Sequence, residues 1–282
     1  MARIVVVHGI GKQVEGEFTM GWFEALRSGV AEARGPRLTE DDVKAAFYGS
    51  VFRKKYSKSV GDRPYTAVDV KDDEAELLAA WWAAAAAADP TVPPPHRTDT
   101  KGRTSPWVQK ALNALSRSTF FAGVAENLMI ADVKQVALYL RDVETRKEIQ
   151  ARVSATIDDD TRVVVGHSLG SVVAYEVLAG WRGSCPVRTF VTLGSPLGIA
   201  NIVFDKLTPR PVDGTGVWPS GLNQWHNIAD PGDVVALVKE LKPLWGPGVT
   251  DWLVHNGPRA HDAMPYLTAK ETGDAITTGL EP

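Results

Sequence analysis

Val163-Val164-Val165-Gly166-His167-Ser168-Leu169-Gly170-Ser171-Val172-Val173 is the stretch that decides how this chain folds. A run of β-branched valines enters Gly-x-Ser-x-Gly, and an apolar helical pattern (Val172, Val173, Tyr175, Val177, Leu178) follows without a break. The spacing predicts a buried strand, a sharp turn and a helix, with Ser168 at the apex in strained backbone geometry. Gly166 and Gly170 lack the Cβ atoms that would collide as strand and helix fold together. Strain of this kind holds a hydroxyl out of the sheet, within reach of another side chain.

Strand and helix patterns alternate on both sides of this turn. Arg3 to Val7 reads as a strand buried on both faces, ending in His8-Gly9-Ile10-Gly11. A helix is expected from about Glu17 to Ala33, closed by Gly35-Pro36, and a second strand over Val43 to Phe52. A long helix, kinked or split, is expected from Val124 to Thr156, and Asp158-Asp159-Asp160 makes a solvated turn into the Ser168 strand. Beyond Ser168 the pattern gives a helix over Leu169 to Trp181 and a strand over Val187 to Leu193. Further strands are expected at Trp225 to Ala229 and Val249 to Val254, with helices over Val234 to Leu241 and Met264 to Thr278. Such repetition predicts an α/β fold: a mostly parallel sheet with helices on both faces, in a single domain spanning 1–282.

The region 57–121 breaks the alternation. Glu74 to Ala88 and Trp107 to Leu115 are helical, and a polar loop opened by Pro93-Pro94-Pro95 separates them. We read 57–121 as a helical insertion carried by the sheet domain, in the position of a cap or lid.

Composition narrows the classes of function. With 282 residues, 44% hydrophobic and 23% charged, the chain has ordinary globular proportions. A net charge of −3 gives no reason to expect nucleic acid as a partner. The single cysteine, Cys185, excludes an internal disulfide framework and fits a reducing compartment. No signal-peptide pattern opens the sequence, and the most apolar run, Leu77 to Ala88, is well short of the roughly 20 residues of a membrane span. A cytoplasmic protein without a transmembrane segment is expected.

A serine hydroxyl needs a base to accept its proton and an acid to orient that base. Among six histidines, His261 follows the last expected strand through a Gly-Pro loop that can carry a side chain over the sheet edge. His255, at the strand end itself, is the reserve. His167 adjoins Ser168 but should point away from it, and His226 and His96 read as structural. For the acid, Asp230 and Asp233 both follow a strand; Asp230-Pro231-Gly232 is ordinary turn chemistry, and Asp233 reads equally as a helix N-cap. Backbone amides of Ile10, in the first glycine turn, and of Leu169, at a helix N-terminus, are candidate donors to a developing oxyanion.

These pieces together resemble the α/β-hydrolase superfamily, and within it the lipase-like serine esterases. The resemblance rests on His8-Gly9-Ile10-Gly11, the nucleophile elbow Gly166-His167-Ser168-Leu169-Gly170, and Thr192-Leu193-Gly194-Ser195-Pro196-Leu197. It covers about 1–52 and 131–282. It implies Asp233, followed by two aliphatic residues, as the acid, and His261, preceded by Asn256 and trailed by Ala263 and Tyr266, as the base. The implied activity is hydrolysis of a carboxylic ester, with a small or lipid-like acyl substrate and neither cofactor nor metal. The buried-type tryptophans Trp81, Trp82 and Trp107 would either line an acyl pocket or pack in a core. The same residues would serve a thioesterase or an amidase or peptidase, and a non-catalytic binding module could retain the fold.

Overall fold

Six short strands form one all-parallel sheet in the order β2-β1-β3-β4-β5-β6. They are β1 (Ile4–Val7), β2 (Val43–Ala46), β3 (Val163–His167), β4 (Thr189–Leu193), β5 (Gln224–Ala229) and β6 (Val249–Leu253). The computed structural model describes residues 2–10, 15–56, 64–95, 104–118 and 124–281, excepting the side chains of 15–19 and 53–56. The strands are apolar on both faces because each face is covered. On one face Ile4, Val6, Val163, Val165 and Val191 meet Trp22 and Leu26 of α1 (Glu15–Glu32), Leu267 of α9 (Ala263–Thr268) and Ile276 of α10 (Lys270–Leu280). On the other, Val5, Val164, Phe190 and Trp225 belong to a larger core. That core takes in α2 (Gly49–Tyr56), α3 (Asp72–Ala88), α4 (Ser105–Leu115), α5 (Glu126–Arg141), α6 (Val143–Thr156) and α7 (Leu169–Ala179). This is the expected α/β architecture.

Several boundaries differ from expectation, each for a local reason. The strand expected over Val43 to Phe52 stops at Ala46. Tyr48 turns out of the sheet to bind His8, donating its amide to Nε2 at 3.1 Å and its hydroxyl to the His8 carbonyl, and α2 begins at Gly49. The long helix of 124–156 breaks at Asp142, whose carboxylate accepts the Thr145 amide at 2.7 Å and caps α6. Helix over Val234 to Leu241 does not form; the next is the single turn α8 (Lys242–Trp245). The amides of Leu241 and Lys242 instead bind the Asp251 carboxylate on β6 at 2.8 and 3.0 Å. The C-terminal helix divides at Ala269, which has extended backbone angles.

In the region 57–121, residues 64–95 and 104–118 are described; His96 and the middle of the proline-rich loop lie outside the described residues. Here α3 and α4 pack on each other, and α3 packs on α5. Trp81, Trp82 and Trp107 are buried in the same core as Val5 and Phe190, so their rings pack as structural apolar mass. Among the described residues, no helix is long and apolar enough to cross a membrane.

One polar cluster anchors the elbow helix. Glu176 of α7 is fully buried and accepts hydrogen bonds from the Tyr139 hydroxyl (2.6 Å), the Gln150 amide (2.8 Å), the Thr208 backbone (2.8 Å) and the Arg146 guanidinium. Removing one partner of a buried ion pair strands the other charge, at a cost of about 3–5 kcal/mol. Arg146→Met is therefore expected to lower the unfolding free energy by about 3 kcal/mol in urea denaturation. A loss under about 1 kcal/mol would mean that Glu176 is not held as a buried charge.

Candidate active site

In a parallel α/β sheet, ligands bind beyond the carboxyl ends of strands where the strand order reverses. Here the reversal lies at β1, because β2 pairs on one side of it and β3 on the other. Ser168 follows β3 directly, and Gly9 lies just beyond β1. The two segments touch. A Cβ on Gly9 would lie 2.8 Å from Ser168 Cβ, and one on Gly170 would lie 2.3 Å from the carbonyl oxygens of Val7 and His8. Only glycine permits this approach, so the first turn and the elbow form one surface.

Ser168 has φ 53° and ψ −130°, the strained geometry expected at the apex. Its amide continues the sheet ladder to the Leu193 carbonyl at 3.0 Å, while the hydroxyl projects from the turn. Ser168 Oγ lies 2.9 Å from His261 Nε2, and His261 Nδ1 lies 2.8 Å from Asp233 Oδ2. Ser168, His261 and Asp233 thus form a continuous hydrogen-bonded chain, assembled from the ends of β3, β5 and β6. His261 remains partly open to solvent (20% of its side chain), whereas the Asp233 side chain is sealed.

The two carboxylate oxygens of Asp233 have different partners. Oδ1 accepts the amides of Val235 (2.9 Å) and Ala236 (3.2 Å), as an N-cap does, although no helix follows. Oδ2 accepts from His261 and from the Tyr266 hydroxyl at 2.9 Å. Burial alone would raise this carboxyl, but the His261 charge, these hydrogen bonds and Lys239 outweigh it and hold Asp233 ionised below the usual range. Asp230 is separate from the chain. Its carboxylate binds the amides of Gly232 (2.6 Å) and Asn256 (2.5 Å), tying the loop after β5 to the loop after β6. His255 is exposed and outside the cluster. His226 is occupied by Gln224 and Trp252.

Of the candidate oxyanion donors, Leu169 is buried and Ile10 half-buried; neither amide binds a backbone acceptor among the described residues. Gly11, which completes the first glycine motif, lies outside them.

Four residues have contacts or charges at this cluster that the sequence does not signal. Tyr266 supports Asp233 as above and also accepts the Asp230 amide at 2.8 Å. Gly194 has φ 54°, and a Cβ there would lie 2.7 Å from Asp233 Oδ2 and 3.1 Å from His261 Nδ1. Asp132 on α5 is half-buried; desolvation pushes its carboxyl up to about 7, with the charge of His261 the opposing pull. Neither strand nor helix periodicity signals any of these contacts, which arise between distant loops.

The fourth is His167. Its ring lies 6.0 Å from that of Trp22 on α1 and 4.8 Å from that of His261. Its Nε2 lies 2.8 Å from the His261 carbonyl, so it acts as donor there. Burial, helped by the neighbouring His261, lowers the His167 pKa to about 3. Below pH about 6.5 the unfolded chain therefore binds a proton that the folded chain refuses, and stability falls as pH drops toward 3, by up to about 1.4 kcal/mol per pH unit. His167→Gln, which keeps an N–H donor but cannot titrate, should flatten the pH 4–6 dependence of urea unfolding by roughly one proton. An unchanged slope would mean that His167 is not held neutral.

Comparisons with protein-family models, with curated proteins and with solved structures gave no match.

Proposed function

We propose that this protein is a serine hydrolase that cleaves a carboxylic ester through an acyl-enzyme. The observation that carries this reading is the continuous chain from Ser168 Oγ through both ring nitrogens of His261 to Asp233 Oδ2, at 2.9 and 2.8 Å. Each link suits one role. Ser168 Oγ attacks the acyl carbonyl carbon while His261 Nε2 takes the hydroxyl proton. Asp233, kept ionised, holds the Nδ1–H tautomer and stabilises the imidazolium. The carbonyl oxygen becomes an oxyanion facing the Ile10 and Leu169 amides, each such donor contributing on the order of 3 kcal/mol to barrier lowering.

When the tetrahedral species collapses, the C–O bond to the leaving alcohol breaks, and that oxygen takes the proton from His261. Water then attacks the acyl carbon, again giving a proton to His261, and Ser168 leaves with the proton returned. Tyr266 and His167 position the acid and the base without meeting the substrate. Nothing in this chemistry calls for a metal or cofactor.

A fluorophosphonate probe should label wild-type protein at Ser168 and leave Ser168→Ala unlabelled though folded. Failure of the folded wild type to react would sink the hydrolase reading in favour of a binding module. Turnover of p-nitrophenyl esters of graded chain length, set against thioesters and peptide amides, then assigns the bond. Asp233→Asn should lower kcat by about 10⁴-fold through the wrong histidine tautomer, while Asp230→Asn retains turnover within roughly tenfold. The reverse ranking would move the acid role to Asp230.

A further inference from the structure

Three arginines meet at the end of the sheet opposite Ser168. Arg3, Arg162 and Arg188 are the residues immediately before β1, β3 and β4, and the backbone sets them side by side. The amides of Arg162 and Val163 donate to the Arg3 carbonyl at 2.8 and 3.0 Å. Those of Arg188 and Thr189 donate to the Arg162 carbonyl at 2.8 and 3.1 Å. Neighbouring strands are about 4.8 Å apart, so like charges stand in adjacent register, which is unfavourable unless something offsets it.

Protein carboxylates offset it only in part. Arg3 pairs with Asp42 at 2.9 Å. Arg162 and Arg188 instead use Nη1 on backbone carbonyls, Arg162 on Asp159 (2.7 Å) and Thr161 (3.2 Å), Arg188 on Gly221 (3.2 Å). These bonds orient the two planar forks and leave Nε and Nη2 of each without a partner among the described residues. All three arginines line a cavity of about 590 Å³, within the ~300–1,000 Å³ range of small-molecule sites. Thr189 lines it too; this residue is 1% exposed, and its hydroxyl has no hydrogen-bond partner among the described residues. Asp160 and Glu281 complete the charged lining and form no ion pair with the arginines.

We propose that this cavity binds a small, multiply charged oxyanion of the phosphate class, such as a phosphate monoester or diphosphate group. Oriented guanidinium forks match phosphate oxygens in paired hydrogen bonds. A bound anion would relieve the repulsion along the arginine row. The two carboxylates in the lining favour a ligand whose charge is concentrated in one group over a uniformly charged polymer. Ser168 lies at the far end of β3, roughly 20 Å along the strand from Arg162, so this site is separate from the proposed hydrolytic centre.

Isothermal titration of the full chain with pyrophosphate at low ionic strength tests this. Wild type and Ser168→Ala should bind one equivalent alike, with Kd below about 1 mM. Arg162→Gln and Arg188→Gln should each weaken binding by roughly tenfold, and the double variant should lose it. Arg188→Lys, which keeps the charge but not the fork, should fall between Arg188→Gln and wild type. Circular dichroism and ligand-free melting temperature report whether each variant is folded. No saturable binding by wild type, equal affinity in the folded double variant, or loss on Ser168→Ala would each overturn the proposal. Tighter binding of a polyanionic polymer than of pyrophosphate would overturn the ligand class.

Discussion

One carboxylate oxygen, Asp233 Oδ2, holds the site together. It accepts from His261 and from Tyr266, while its partner oxygen is fixed by two backbone amides. A buried charge with this many donors is stable only if the groups that supply them stay in place. The loop after β5 and the segment after β6 are therefore obliged to converge, and Asp230 ties them a second time through the Asn256 amide. The bare backbone of Gly194 between them is the steric condition for that convergence.

The strand–turn–helix at Ser168 is legible from local pattern. The β-branched run before Gly166 and the apolar helix after Ser168 made the elbow readable, because strand, turn and helix each leave a signal within a few residues. Chain order sets Asp233 and His261 after Ser168, but no local pattern chooses between Asp230 and Asp233, because both follow the same strand. What escaped was tertiary in origin. Val234 to Leu241 has helical periodicity, yet Asp251 of β6 captures the Leu241 amide at its end and that of Lys242 just beyond. The strand after Val43 ends early because Tyr48 is recruited by His8, forty residues away in sequence. His167 reads as a bystander beside Ser168, yet its ring nitrogen binds the backbone of His261.

The placement of the tryptophans shows how composition can suggest two things at once. Trp81, Trp82 and Trp107 have the bulk to line an acyl pocket, and the same bulk makes them good core residues. Their burial alongside Val5 and Phe190 assigns their rings to the core.

The cluster around Glu176 gives the elbow a mechanical character. Ser168 is strained at the N-terminus of α7, and a helix free to rotate or slide would relax that strain within its first turn. Two turns further along, Glu176 is clasped by α5, α6 and the Thr208 segment, so the helix cannot yield. The strained serine behaves like the tip of a lever whose other arm is bolted down. Five residues transplanted without the bolt would keep the motif and lose the tension.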